Sequence, residues 1–205
     1  MSDTDYCYPP DYKVLKNKLG IRDADQLDRA ERLFVTQRAV EDFPNGDFDL
    51  AHLCAIHKHL FQDVFDWAGK IRTVEISKGG SQFQFRQYIE TGMTDVHRRI
   101  KTHNYLRYLP ADQFADLAGE IMGDINYVHP FREGNGRTQL YFYKQLAEHA
   151  GHEIDLTQIE KSVWMSASKQ AHDGNYAPMA ICLRLTIKGH SHGHDDPEEE
   201  AEHDL

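Results

Sequence analysis

A mainly α-helical fold with one small β-hairpin is what this sequence predicts, on three observations. Apolar residues recur at helical spacing through most of the chain. Residues 71–85 break that period, with β-branched, partly alternating stretches on either side of Lys78-Gly79-Gly80-Ser81. The 205 residues are 40% hydrophobic, 11% aromatic and 27% charged, enough for one well-packed domain and marginal for two.

Taken in order, Val14, Leu15 and Leu19 before Gly20 predict a short helix with a glycine C-cap. A longer helix is expected from about Asp25 to Phe43, carrying Leu27, Ala30, Leu33 and Phe34, until Pro44-Asn45-Gly46 breaks it. Asp49 is placed to cap the next, with Leu50, Leu53, Cys54, Ile56, His57, Leu60 and Phe61. Ile71 to Ser77 and Gln82 to Phe85 form the predicted hairpin. Pro110-Ala111-Asp112 opens a helix through Phe114, Leu117, Ile121, Ile125 and Val128. Another is expected from about Thr138 to Ala150. Thr157-Gln158-Ile159-Glu160 has the form of a capping box, and a last helix spans about Tyr176 to Ile187.

Composition excludes several classes. No apolar run approaches the roughly 20 residues that cross a bilayer, and the acidic N-terminus does not read as a secretory signal. Cys7, Cys54 and Cys182 lie far apart, so neither a disulfide framework nor a cysteine zinc site is expected, and a reducing cytoplasm is the expected compartment. The net charge is −10. Residues 188–205 hold one Lys against seven Asp and Glu, and read as a disordered acidic tail whose His190, His192 and His194 offer at most a weak metal site. Direct nucleic-acid binding is not expected, although Arg98, Arg99 and Lys101 form a local basic patch.

The chemistry concentrates in His129-Pro130-Phe131-Arg132-Glu133-Gly134-Asn135-Gly136-Arg137, between two predicted helices. A helix N-terminus after such a loop offers N–H groups and a positive dipole end to a phosphate. Arg137 adds a forked cation matched to phosphate oxygens. Glu133 is a hard oxygen ligand suited to Mg²⁺ held together with phosphates. His129 is placed to take a proton from a nucleophile near neutral pH. Base, metal ligand, anion nest and arginine within nine residues point to phosphoryl or nucleotidyl transfer; a glycine-rich turn with a structural histidine is the plainer alternative.

The run resembles the signature HPFx(D/E)GNGRxxR of the Fic family and matches its first nine positions. The similarity extends over about residues 6–187, through Tyr8-Pro9, the stretch Leu15 to Ile21, and His57 to Arg72 leading into the hairpin. The resemblance implies a Fic-type helical bundle over residues 1–187, with the hairpin as a flap beside the active-site loop. It implies transfer of AMP from ATP to a Ser, Thr or Tyr hydroxyl of a target protein. His129 would deprotonate that hydroxyl. Glu133 would hold Mg²⁺ on the α- and β-phosphates. Asn135 and the N–H groups of Gly134 to Gly136 would bind the phosphates, and Arg137 would assist pyrophosphate departure. Phe131 would anchor the loop. The flap, with Thr73, Val74, Glu75, Ile76, Ser77 and Lys78, would hold the target by main-chain pairing.

Two departures stand out. The last motif arginine falls at position 140, where this chain has Leu140. Losing a charge-assisted phosphate contact costs about 1.5–3 kcal/mol, unless Arg132 or Lys144 substitutes. The chain also lacks the inhibitory pattern (S/T)xxxE(G/N); Thr36 to Glu41 misses it by one residue. The resemblance is then to the class inhibited by a separate small antitoxin, whose typical targets are subunits of DNA gyrase and topoisomerase IV. Related folds transfer phosphate or phosphocholine instead, and a weakened nucleotide-binding module is the non-catalytic alternative. Asn175 and Tyr176 border the family's adenine pocket, though a helix cap and a core aromatic explain them as well. His57 and His59 are too poorly spaced to share a metal, and Trp67 reads as core.

Overall fold

The computed structural model describes residues 4–189. It consists of α1 (Ala24–Arg38), α2 (Leu50–Phe61), the hairpin strands β1 (Ser77–Lys78) and β2 (Ser81–Gln82), α3 (Ile89–Thr102), α4 (Ala111–Val128), α5 (Asn135–Ala150), α6 (Lys161–His172) and α7 (Ala177–Arg184). The mainly helical architecture with a small hairpin agrees with the sequence prediction.

α4 is the central element. Phe114, Ala115, Ala118, Ile121, Met122 and Ile125 are fully buried along it, facing α7, α6, α3 and α5 in turn. α2 and α5 close the other side, contributing Leu53, Ile56, Leu60 and Phe61 from one and Phe142, Tyr143 and Leu146 from the other. Each such side chain contributes about 1.5–3 kcal/mol by leaving water. The loop of residues 129–134 therefore hangs between two helices that the core holds in place.

Side chains cap two of the α-helices, and of these caps the sequence reading placed Asp49. Asp23 accepts from Gln26 N at 2.8 Å and Asp49 from His52 N at 2.8 Å. Elsewhere local chemistry overrides the pattern. The short helix predicted at residues 14–19 is absent: Tyr8 N bonds Val14 O, Lys16 N bonds Tyr6 O, and Cys7 bridges Leu15. The Asn17 side chain takes Leu15 O, Ile21 O and Ile21 N, offering the backbone an alternative to a helix. α1 stops at Arg38, five residues before the predicted end. The capping box does not form, because Asp155 caps a 3₁₀ turn at Leu156–Gln158 and holds the Thr157 hydroxyl at 2.6 Å. α3 was not predicted as an element; its buried stripe is Ile89, Met93, Val96 and Ile100.

The predicted flap strands shrink to two residues each, in register Ser77↔Gln82 and Lys78↔Ser81. Gly79 and Gly80 both have positive φ, the requirement of a two-residue hairpin turn that matches strand twist. The basic patch is neutralised: Arg98 pairs Asp95, Arg99 pairs Asp95 and Asp124, and Lys101 faces Asp47. Lys188, expected to open the tail, bonds Glu153 through both its backbone and its ammonium. The rest of the predicted tail, with His190, His192 and His194, lies outside the described residues apart from Gly189. Among the described residues, no helix is long and apolar enough to cross a membrane.

Candidate active site

α4 ends where its apolar run meets Pro130, which disfavours helix at the preceding residue. His129 is the C-cap, in the left-handed region at φ 48° and ψ 64°. Its ring turns back so that Nδ1 lies 2.9 Å from Asn126 O. A carbonyl only accepts, so Nδ1 carries the proton and Nε2 keeps its lone pair. Phe83 from the flap stacks on the imidazole, with centroids 3.7 Å apart and planes at 14°. Burial pulls the imidazole down to about 4; the Asn126 carbonyl opposes this, and Arg72, Lys78 and His172 add to it. His129 is therefore neutral at pH 7.

The loop that follows is fastened from beneath. Phe131 is 1% exposed and stacks on His57 at 4.0 Å. His57 donates from Nε2 to Glu133 O at 3.0 Å and accepts at Nδ1 from Gly69 N at 2.8 Å. Both nitrogens are satisfied, and burial draws its imidazole down to about 4. Gly134 sits at φ +81°, and a Cβ there would lie 2.4 Å from the Phe61 ring. Only glycine fits that combination.

α5 then begins at Asn135 with no side chain capping its first turn. The Glu133 carboxylate, half exposed, accepts from Gly134 N at 2.9 Å. Arg137 lies over the Phe61 ring at 4.8 Å, 3.9 Å from Glu133, and pairs with Glu31 of α1. Burial raises the Glu31 carboxyl against the opposing pull of Arg137. A helix N-terminus, a guanidinium and one half-exposed carboxylate thus converge at the loop after His129. This donor set fits Mg²⁺ that arrives with phosphates, which asks for one or two carboxylates. Among the described residues, no group of three or more His, Cys, Asp and Glu side chains is placed to hold a metal ion.

Of the predicted site residues, His129, Glu133, Gly134, Gly136 and Arg137 come together at this loop. The Asn135 side chain, expected at the phosphates, bonds the backbone of the motif loop. Its Oδ1 accepts from Phe131 N at 2.9 Å and its Nδ2 donates to Phe131 O at 2.8 Å. The side chain is 4% exposed and shapes the loop, and its backbone N–H stands at the start of α5. Thr73, Glu75, Ser77 and Lys78 are exposed on the flap, with Val74 and Ile76 half-buried. Leu140 packs half-buried against the core, and Lys144, one candidate substitute for the missing cation, pairs with Glu148. Tyr176, half-buried, braces Asp124 at 2.7 Å and packs on Gly123, and the exposed Asn175 bonds Gln170 without capping a helix. Trp67 stacks on Phe65 in the core.

Four residues escaped the sequence reading: Arg72, Phe83, His57 and Glu31. Glu31 was the most legible. It falls between Leu27 and Val35 at four-residue spacing, a charge on the buried stripe of α1.

Comparison with known proteins agrees with this geometry. The Fic/DOC family pattern matches residues 47–147. A probable protein adenylyltransferase, y4lH, of Sinorhizobium fredii is 39% identical over 182 residues, covering 88% of this chain and 94% of that one. The probable protein adenylyltransferase Fic of Salmonella typhimurium is 35% identical over 186 residues, covering 89% and 91%. The N-terminal Fic domain of a Bartonella quintana cell filamentation protein, solved with bound ADP, superposes with TM-score 0.83 at 29% identity, covering 91% and 96%. With its motif loop on the α4–α5 junction and its flap against the histidine, the chain belongs to the Fic/DOC family, among the protein adenylyltransferases.

Proposed function

We propose that residues 1–187 transfer AMP from ATP to a hydroxyl side chain of a target protein laid along the flap. One observation carries the reading: a neutral histidine with a free Nε2 stands beside a helix whose N-cap glycine leaves the first turn uncapped, Glu133 taking only Gly134 N. The Nε2 lone pair takes the hydroxyl proton as the oxygen attacks the α-phosphorus. The bond from that phosphorus to the bridging oxygen breaks, and pyrophosphate leaves with the electron pair. The backbone N–H groups at the start of α5, with Arg137, stabilise charge on the phosphates. Glu133 would hold Mg²⁺, which when bound neutralises the α- and β-phosphates. The proton on His129 then passes to solvent.

The target is proposed to pair by main chain with the edge around Thr73 to Lys78. Resemblance supports a toxin–antitoxin setting in the cytoplasm, with a separate small antitoxin and subunits of DNA gyrase or topoisomerase IV as targets. The missing (S/T)xxxE(G/N) pattern supports the separate inhibitor. Leu140 supports a second reading, in which ATP lies differently and phosphate is transferred.

The deciding experiment incubates the protein with Mg²⁺, bacterial lysate and ATP labelled at the α-phosphate, beside His129→Ala and Leu140→Arg. Protein bands that carry α-label and vanish with His129→Ala establish AMP transfer. Label from γ-phosphate alone establishes phosphate transfer instead. No label in any form, Leu140→Arg included, overturns the enzyme reading for the targets present.

A further inference from the structure

We propose that Arg72 is a positioning residue that locks the flap and His129 into one unit, so that a hydroxyl docked on the flap arrives in register with the base. The proposal rests on the reading of His129 and the flap given above. Arg72 lies where the chain passes from the turn after α2 into the flap. Its side chain has no exposure to solvent.

Its bonds run to both sides of the site. On the motif side, Nε donates to His129 O at 2.9 Å and one terminal nitrogen reaches Val128 O at 3.4 Å. The Arg72 backbone N–H adds Pro130 O at 2.9 Å. On the flap side, the other terminal nitrogen donates to Val74 O at 2.8 Å and to Glu75 Oε2 at 3.3 Å. Gln84 O, on the returning limb, receives the remaining bond. Both limbs of the hairpin and the last carbonyls of α4 thus share one guanidinium.

Two consequences meet at the imidazole. The bond to His129 O fixes the backbone of the base in its left-handed conformation. The bond to Gln84 O fixes the residue next to Phe83, whose ring covers the imidazole. With strands only two residues long, the hairpin ladder supplies little order of its own. A planar fork with five N–H donors serves these directions; an ammonium with three does not. Arg72 also supplies positive charge at the C-terminus of α4, and that alone would be a structural role. A lysine would preserve that role and lose the geometry.

The test compares Arg72→Lys and Arg72→Gln with wild type in three measurements. Hydrogen exchange read by mass spectrometry reports the flap in the free protein. AMP transfer from α-labelled ATP to lysate proteins, with ATP varied, separates maximal rate from KM. Circular dichroism reports folding. Both variants are expected to keep their helical signal. Exchange across residues 73–85 should rise about tenfold. The maximal rate should fall about 10²-fold, with KM for ATP within about twofold of wild type because Arg72 touches no part of the phosphate nest. Arg72→Lys should rescue neither. Wild-type flap exchange and rate in a folded Arg72→Lys would overturn the proposal, as would a parallel loss of ATP affinity and rate. Should wild type itself carry no label, the functional reading fails, while the exchange data still judge the clamp.

Discussion

The motif loop and the flap meet at His129, yet different forces hold them. The loop is fastened by burial: Phe131 on His57, Asn135 on the Phe131 backbone, and Gly134 on Phe61. The flap has Ser77, Lys78, Gly79 and Gly80 exposed and is tied to the body by Arg72 and Phe83, with Thr73 N on the Tyr6 hydroxyl and Gln84 N on Tyr127 O. The groups proposed to react are pre-organised by the core, whereas the segment proposed to receive a partner carries little buried surface. Substitutions in the loop should therefore cost both stability and rate, and substitutions in the flap mainly rate.

His129→Ala sharpens that contrast first. Removing the base should lower the rate of AMP transfer by about 10²–10⁴-fold, with ATP binding retained, since the nest lies in α5. A calorimetric titration of ATP with Mg²⁺ beside the labelling assay checks both halves. Gly134→Ala comes next. It combines positive φ with a collision against Phe61, and should cost about 3 kcal/mol of stability, read as a lower urea midpoint. A neutral result would break the comparison, because the loop would then be as pliable as the flap.

The histidines make the loop sensitive to acid. His57 and His129 both titrate near 4 when folded, against about 6.5 unfolded. Between these values the unfolded chain binds more protons, so stability falls as pH drops from about 6.5 to 4. Each fully depressed histidine contributes up to about 3 kcal/mol to that loss. Above about pH 7.5 neither contributes an appreciable slope. Urea midpoints measured from pH 7.5 to 4.5 should fall less steeply in His57→Asn than in wild type. Because His129 stays neutral, the transfer rate should also hold from pH 8 to 6 as far as the base is concerned.

How far the sequence reached follows the same division. α2, α4, α5 and α7 were legible because their apolar periods continue unbroken and their ends carry Asp49, Pro110 and the motif loop. The motif residues were legible because their chemistry is local, within nine positions. α3 escaped because its stripe of Ile89, Met93, Val96 and Ile100 is diluted by charges. The helix expected at 14–19 failed because Asn17 satisfies the backbone another way. Arg72 and Phe83 were hidden for a deeper reason. Each acts on atoms more than 40 residues away in sequence, and no period or spacing encodes that encounter.

The smallest effect is expected at Phe83, where the two regions touch. Its ring is 8% exposed and lies flat on the imidazole, with His172 at its edge. Leucine would keep most of the buried area and lose the stacked face, a difference of about 0.5–1.5 kcal/mol. In stability that is a shift of a few degrees, about what a partly replaced aromatic contact allows. In catalysis the same energy, lost from the orientation of His129, amounts to about a tenfold fall in rate. Phe83→Leu should therefore melt close to wild type and transfer AMP about tenfold more slowly, with KM for ATP unchanged. A large drop in melting temperature would instead make Phe83 part of the core and move the boundary between loop and flap outward to the hairpin turn.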